Sequence, residues 1–406
     1  MGLYKYYPVP SDRMGALWTL LPIKGGCILE FGTSGTTRFA LNSFSRMQGE
    51  QNSRIYSTHM DENDIAMGQV IRLEKAMEEI LKTERPPVIF VMPSTLSATI
   101  GTDIASHCSL YQEKYPDIKI LPLKSDGFRG NWTQGVREVL ELLVCNLPEE
   151  SERTQKPTFN IIGSCADDYN YFSDSHEIIR MLKEGFNAVP LCVMTSDTHI
   201  SDIKAMGGAH VNIVLRQEGI EAARRLEERF GTPYVAGRPY GLKASLQWME
   251  QVSERLKIKC DAGYMNYEQK MLSGALKIAS AYASRIHGPH IAIGGHFDIV
   301  KGLLDFAKEE VGFVPGAVWC TSPDRASESI PCYKESQWEE AVAKGQYGII
   351  MSNAVALHLA KQDCRKIQID IPSYEFCPIK YPYTPYIGFR GAQYLLNKWI
   401  NPPQYQ

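Results

Sequence analysis

Between Pro22 and Ala40 the chain reads PIKGGCILEFGTSGTTRFA, and several of these residues could act together chemically. Thr33, Ser34, Thr36 and Thr37 carry hydroxyls and Arg38 a guanidinium, all behind the apolar run Cys27-Ile28-Leu29-Glu30-Phe31. Gly32 and Gly35 punctuate the turn. Lacking a Cβ, glycine can take positive φ and let backbone approach a bound group. A strand that ends in such a turn can hold a ligand or the edge of a cofactor. The same residues can equally form a tight turn in which Ser and Thr satisfy local backbone groups. The stretch alone leaves both readings open.

Other candidates are more scattered. Arg129 sits in SDGFRG, residues 125–130, where a fork of donors could hold an anion or a partner carboxylate, or simply close a surface ion pair. Asp167-Asp168 behind Cys165 could attract a cation or form a solvated turn. His287 and His290 flank Gly288-Pro289, a pairing that reads as a loop. No GxxxxGK[ST] is present, and the turns at Gly32–Gly35 and Gly294-Gly295 lack GxGxxG spacing, so nucleotide binding has little support. The ten cysteines form no CxxC and no zinc knuckle. Cys192 and Cys320, on apolar runs, read as small core residues. An iron–sulfur cluster would need ligands gathered from distant positions or from another chain.

These residues must be positioned by a large α/β scaffold. At 406 residues the chain exceeds one hydrophobic core and should divide into domains. A formal net charge of -3 gives no basic field, so nucleic acid is not an expected partner. No basic-then-apolar leader follows Met1 and no apolar run would span a bilayer, so no membrane association and a cytoplasmic location are expected. Strand-like runs at 27–31, 54–58, 88–92 and 118–123 alternate with helical periodicity, as in Ile71–Lys82, and predict a parallel sheet. The polar segment LPEESERTQKP closes a first α/β domain, 1–150. The pattern restarts in 151–257 and again in 258–380, the latter opened by a long helix, Tyr264–Ile286, predicted to be buried. The aromatic Pro/Gly loop and helix of 381–406 are expected to pack back on the first domain.

Ordered blocks along nearly the whole chain resemble the nitrogenase component 1 superfamily: SDRMGALWTLLPIKGGCILEFGTSGT, STHMDENDIAMGQVIRLEKAMEEI, VMPSTLSATIGTDI, LPLKSDGFRG, FNIIGSC, RLEERFGTPYV and YPYTPYIGFRGA. That superfamily includes the MoFe-protein subunits, the subunits that scaffold its cofactor assembly and those of dark-operative protochlorophyllide reductase. The resemblance implies three Rossmann-like parallel-sheet domains with a cofactor cleft between them. It also implies an iron–sulfur cluster between paired subunits, so an oligomer is expected, with 11–37 at the contact.

Where the family pattern carries cluster cysteines, this chain has Ser11, Thr36 and Thr95. The cofactor-bearing subunit's active-site cysteine and histidine fall near Leu215 and Ile387. An alcohol is a poor substitute for thiolate on iron, and Cys27 is the nearest thiol in sequence to the altered site. The resemblance thus implies a subunit of a nitrogenase-like, ATP-dependent reductase. Its 4Fe-4S cluster would take ligands mainly from a partner, either a second component-1-like subunit or a second copy. An iron-protein-type ATPase would deliver the electrons. Ser11, Cys27, Gly32, Gly35, Thr36, Thr95 and Arg129 are the candidate site residues. The alternative is a non-catalytic scaffold or carrier for a metallocofactor or tetrapyrrole.

Overall fold

Short β-rich apolar runs become strands buried on both faces, as parallel sheets require. In the computed structural model, which describes residues 9–47, 51–68, 70–196, 198–283, 285, 290–321, 330–360, 364–372 and 382–401, these strands form three sheets. His287 and Tyr381 lie outside those residues. β1 (Gly26–Phe31), β2 (Arg54–Ser57), β3 (Val88–Pro93) and β4 (Lys119–Pro122) are ordered β2-β1-β3-β4. β5 (Thr158–Ser164), β6 (Val189–Thr195), β7 (Val211–Val214) and β8 (Tyr234–Ala236) are ordered β6-β5-β7-β8. β9 (His290–Gly295), β10 (Val314–Cys320), β11 (Ile349–Ser352) and β12 (Arg365–Gln368) are ordered β10-β9-β11-β12. Every pairing is parallel, and the three sheets share one topology.

Two helices of the first unit meet backbone to backbone. Helix Asp12–Leu20 crosses Trp132–Asn146 at Gly15 and Gly135. A Cβ on Gly15 would lie 1.9 Å from the Trp132 carbonyl oxygen, and one on Gly135 1.8 Å from that of Asp12. The crossing aligns the segments before the helices: Trp132 N–H donates to Pro10 O at 2.8 Å, Asp12 N–H to Gly130 O at 3.1 Å, and Ser11 bridges Asn131. Buried Arg13 pairs with Glu30 on β1, whose other oxygen accepts from Thr37 Oγ1 at 2.5 Å.

One face of the first sheet and one of the third have cores of their own, but the other faces share theirs with the second unit. One apolar cluster joins Leu17, Ile28 and Val139 of the first unit to Ile162, Met194 and Leu226 of the second. Another joins Ile161 and Met181 to Ile293, Val300 and Trp399. Three expectations need correction here. The helix observed at Ala262–Ala283 is not buried all round: Tyr267 and Ile278 are 61% and 62% exposed, because only one stripe of it meets the core. The pattern of residues 100–115 predicts a helix from Ile100, but the helix starts only at Ile104. Gly101 at φ +71 turns the chain after the short helix Thr95–Thr99, and Asp103 caps the new start.

The closing helix Gly388–Ile400 packs on helices Tyr171–Phe186, Gly241–Leu256 and Ala262–Ala283 rather than on the first unit. Its apolar face, ending in Trp399, finds its partners there, with Phe306 and Phe313 ring centroids at 5.1 and 5.7 Å. Tyr386 N–H donates to Asp174 at 2.7 Å and Arg390 N–H to Glu177 at 3.1 Å, fixing the helix start. Burial, reinforced by the charge of Asp168, pushes the Asp174 carboxyl up to about 7, against the pull of Arg238.

Two outcomes follow. Gly135→Ala should lower stability by about 1–3 kcal/mol, because overpacking against a backbone oxygen outweighs the gain in helix propensity. A urea midpoint at or above that of the native chain would show that the helices can part. For Asp174, between about pH 4 and pH 7 the folded state retains a proton that the unfolded chain has released, so the group's contribution to stability falls as pH rises. Asp174→Asn keeps an acceptor for Tyr386 and removes this slope, so its urea midpoint should gain on the native chain across that range. Parallel curves would mean Asp174 is ionised in the fold.

Candidate functional site

The loops at the C-terminal edge of the first sheet assemble one candidate site. Gly32 closes β1, and a Cβ there would lie 2.6 Å from Ser94 Cβ, so the glycine serves close approach rather than positive φ. Ser94 caps the short helix after β3, holding Ser97 N–H at 3.1 Å. Thr95 Oγ1 then donates to Asp126 O at 3.1 Å, across to the loop 125–130. Gly127, at φ +102, is the centre: a Cβ on it would lie 2.8 Å from Thr95 Oγ1 and 4.0 Å from Ser11 Oγ. Arg129 pairs with Asp126 at 3.3 Å and is exposed, so it closes the surface ion pair within its own loop.

Beside them Asp12 is fully buried, and among the described residues neither carboxylate oxygen has a partner at ordinary hydrogen-bond geometry. Burial pushes its pKa up; nearby N–H groups of Gly127, Arg13 and Arg129 offset part of this, and Asp126 adds repulsion. The motif reading missed Asp12, which could be found only from the helix crossing that buries it.

The structure thus brings Ser11 and Thr95 together, with Gly32 and Arg129 on the adjoining loops. It does not bring in Thr36, Gly35 or Cys27. Helix Ser34–Met47 begins inside the glycine-hydroxyl stretch, so Gly35 lies in its first turn with open space around it and no positive φ. Thr36 is exposed and donates to Thr33 O at 2.9 Å, the local backbone reading. Cys27 is corrected most plainly. It lies at the far end of β1 from the loop, about 13 Å of strand from Phe31. It faces the core with Leu73 and Met77, and burial pushes its thiol up to about 12. The loops carry no cysteine of their own. Cluster iron is held by thiolate, so the residues of these loops do not by themselves fit an iron–sulfur cluster.

A second centre lies where the three units meet. Trp132, at the start of its helix, donates Nε1–H to Asp167 at 2.9 Å. Arg216, directly after Leu215 beyond β7, reaches both Asp167 oxygens at 2.8 Å and Glu218 at 2.7 Å. Glu218 meets His296 Nε2 at 3.2 Å, and His296 caps the helix that begins at Phe297. Burial lowers the His296 pKa, but the charge and hydrogen bond of Glu218 outweigh it, leaving the imidazole above its ordinary value. Glu218, His296 and Asp298 have metal-ligand spacing, yet Arg216 already neutralises Glu218. Asp168 pairs with Arg238 in the same buried layer. Asp167 and Asp168 are therefore neither a cation site nor a solvated turn. Leu215 and Ile387, near which the resemblance would set the cofactor-bearing subunit's active-site cysteine and histidine, are buried apolar residues.

Trp132 also walls a cavity of about 180 Å³ between the first and third units, lined by Val9, Pro10, Trp319, Thr321 and Asn353 among others. It is mostly apolar, with a few polar groups, as small-molecule sites are. Among the described residues no helix is long and apolar enough to cross a membrane.

Known proteins show the same plan. The chain is 26% identical over 301 residues to the nitrogenase iron-molybdenum cofactor biosynthesis protein NifE of Clostridium pasteurianum, covering 72% of this chain and 64% of that protein. It is 24% identical over 336 residues to a light-independent protochlorophyllide reductase subunit from Jannaschia sp. (strain CCS1), covering 78% and 62%. The matches therefore span less than two-thirds of these relatives' lengths. The structure of nitrogenase Cp1 at pH 6.5 superposes with a TM-score of 0.81 at 18% identity, covering 98% of this chain and 93% of that one, a likeness of fold. The model of the family described as nitrogenase component 1 type oxidoreductase matches residues 11–403, and the chain belongs to that family.

Proposed function

We propose that this chain is one subunit of a nitrogenase-like, ATP-dependent reductase, pairing with a second component-1-like subunit or a second copy through the first-sheet loops. In this reading an iron-protein-type ATPase supplies electrons, and thiolates of the partner hold whatever iron the assembly contains. The observation that carries the reading is the cradle around Gly127. The loops of the family pattern are kept and converge, with Ser11 and Thr95 hydroxyls in place of ligands. Phe128 and Leu96, on two of those loops, are 66% and 36% exposed. Apolar side chains of this size beside a buried carboxylate suit a surface that a partner covers. The cavity walled by Trp132 and Trp319 is the proposed substrate pocket, and it favours a compact, largely apolar group.

A carrier without catalysis is the second reading, favoured by the buried apolar Leu215 and Ile387 near the expected places of the cofactor-bearing subunit's reactive side chains. The two readings separate in one preparation: the chain purified anaerobically with its co-expressed neighbour, assayed for iron, sulfide and reduction driven by an iron-protein-type ATPase. Iron in the complex with ATP-dependent turnover supports the reductase. A bound cofactor without turnover supports the carrier.

Two variants test the site assignment. Cys27→Ser should leave iron per complex unchanged while lowering stability by about 1–3 kcal/mol, the cost of a hydroxyl in that core. Loss of iron with this variant would return ligation to this chain. Phe128→Glu should weaken association by more than about 2 kcal/mol, roughly 30-fold, while Thr36→Ala leaves it unchanged. A native-like mass for the Phe128 variant by light scattering at low concentration would remove these loops from the contact.

A further inference from the structure

The third sheet ends in a pair of thiols for which the proposed reductase has no use. Cys320 is the last residue of β10, and the chain returns alongside so that Tyr333 N–H donates to Val318 O at 2.7 Å. This sets the Cys332 and Cys320 sulfurs 3.2 Å apart, bridging 12 residues of sequence. Cys320 is 9% exposed, whereas Cys332 is half-buried and more open to solvent. The neighbours of Cys320 in sequence, Trp319 and Thr321, both line the interdomain cavity, and Thr321 Oγ1 has no hydrogen-bond partner among the described residues. A disulfide bond is about 2.0 Å long, so the sulfurs need to close by roughly 1.2 Å, within reach of small side-chain rotations.

Two sulfurs so placed can be oxidised together or can hold a soft metal. Among the described residues no third His, Cys, Asp or Glu ligand atom lies within 4.8 Å of both, so the geometry favours oxidation. We propose that Cys320 and Cys332 form a dithiol modified by exchange with a low-molecular-weight disulfide of the glutathione type, making a covalent link at the edge of the interdomain cavity. The Cys332 thiolate attacks one sulfur of the disulfide, whose S–S bond breaks and releases one thiolate. Cys320 then attacks the Cys332 sulfur of the mixed disulfide, its proton going to the second departing thiolate. The net change oxidises two protein thiols to one disulfide and reduces the small disulfide to two thiols.

The order of attack follows from exposure. Burial, contact with Cys332 and the charge of Asp370 all push the Cys320 thiol far above its ordinary value, so it is a poor first nucleophile. It acts once Cys332 presents an activated sulfur 3.2 Å away. The resulting bond would tie Thr321 to the returning segment at Cys332 and so fix one wall of the cavity.

The test uses the full chain, reduced anaerobically and then equilibrated in glutathione buffers of rising disulfide content, and it needs neither a partner nor an electron donor. Peptide mapping without reductant should find Cys320 linked to Cys332, with two of the ten thiols lost and the emission of adjacent Trp319 quenched. Cys332→Ser should abolish the link and any glutathione adduct at Cys320, whereas Cys320→Ser should stop at glutathionylated Cys332. Both thiols remaining free in excess glutathione disulfide, or Cys332 linked to a different cysteine, would overturn the proposal. Protection of the pair by one equivalent of Zn²⁺, with no disulfide formed on oxidation, would also overturn it and assign a metal site.

Discussion

Everything at the first-sheet edge depends on two glycines that let a pair of helices touch through their backbones. With Gly15 and Gly135 at the crossing, the starts of both helices are drawn into one strip, where Ser11 bridges Asn131 and Trp132 binds Pro10. That strip carries Ser11 and Asp12 to the Gly127 cradle on one side and Trp132 to the central ion network on the other. A side chain at either glycine would part the helices and separate the two sites. The cost of glycine in a helix, about 1 kcal/mol each, is therefore offset by the contact it permits.

The ion network joins the units by a different physics. Asp167, Arg216, Glu218 and His296 are removed from water, and their mutual attraction must offset that desolvation. Such a network adds little to stability relative to apolar packing, but losing one member leaves an uncompensated buried charge, typically at a cost of about 3–5 kcal/mol. Its effect is on geometry: Arg216 can serve Asp167 and Glu218 at once only if β5 and β7 end at matching heights. His296 extends the same demand to β9 of the third unit.

The sheets are legible in the sequence because strands buried on both faces leave continuous apolar runs, and Gly231 marks the end of helix Ile220–Phe230 by the left-handed turn it adopts at φ +64. Helix Gly241–Leu256 escapes the sequence reading, and the exposed stripe of Ala262–Ala283 passes for core because its apolar residues nearly encircle the helix. The site is legible only in part. Local spacing can suggest that hydroxyls cluster after β1, but Thr36 and Thr37 serve their own helix and Glu30. The pairs that matter at the junction, Trp132 with Asp167 and His296 with Glu218, lie 35 and 78 residues apart. No periodicity links such positions, and only the meeting of sheet edges does.

The shared cores bear on how the chain is made. The apolar cluster that seals the first sheet is completed by residues as late as Leu226 of the second unit. At ordinary elongation rates of about 5–20 residues per second, roughly 4–16 s separate the synthesis of Leu147 from that of Leu226. For that interval the first-unit helices and strands of this cluster lack the second-unit side chains that complete it. The nascent chain thus passes through a state richer in open apolar surface than any the finished protein shows, and chaperone occupancy should peak there.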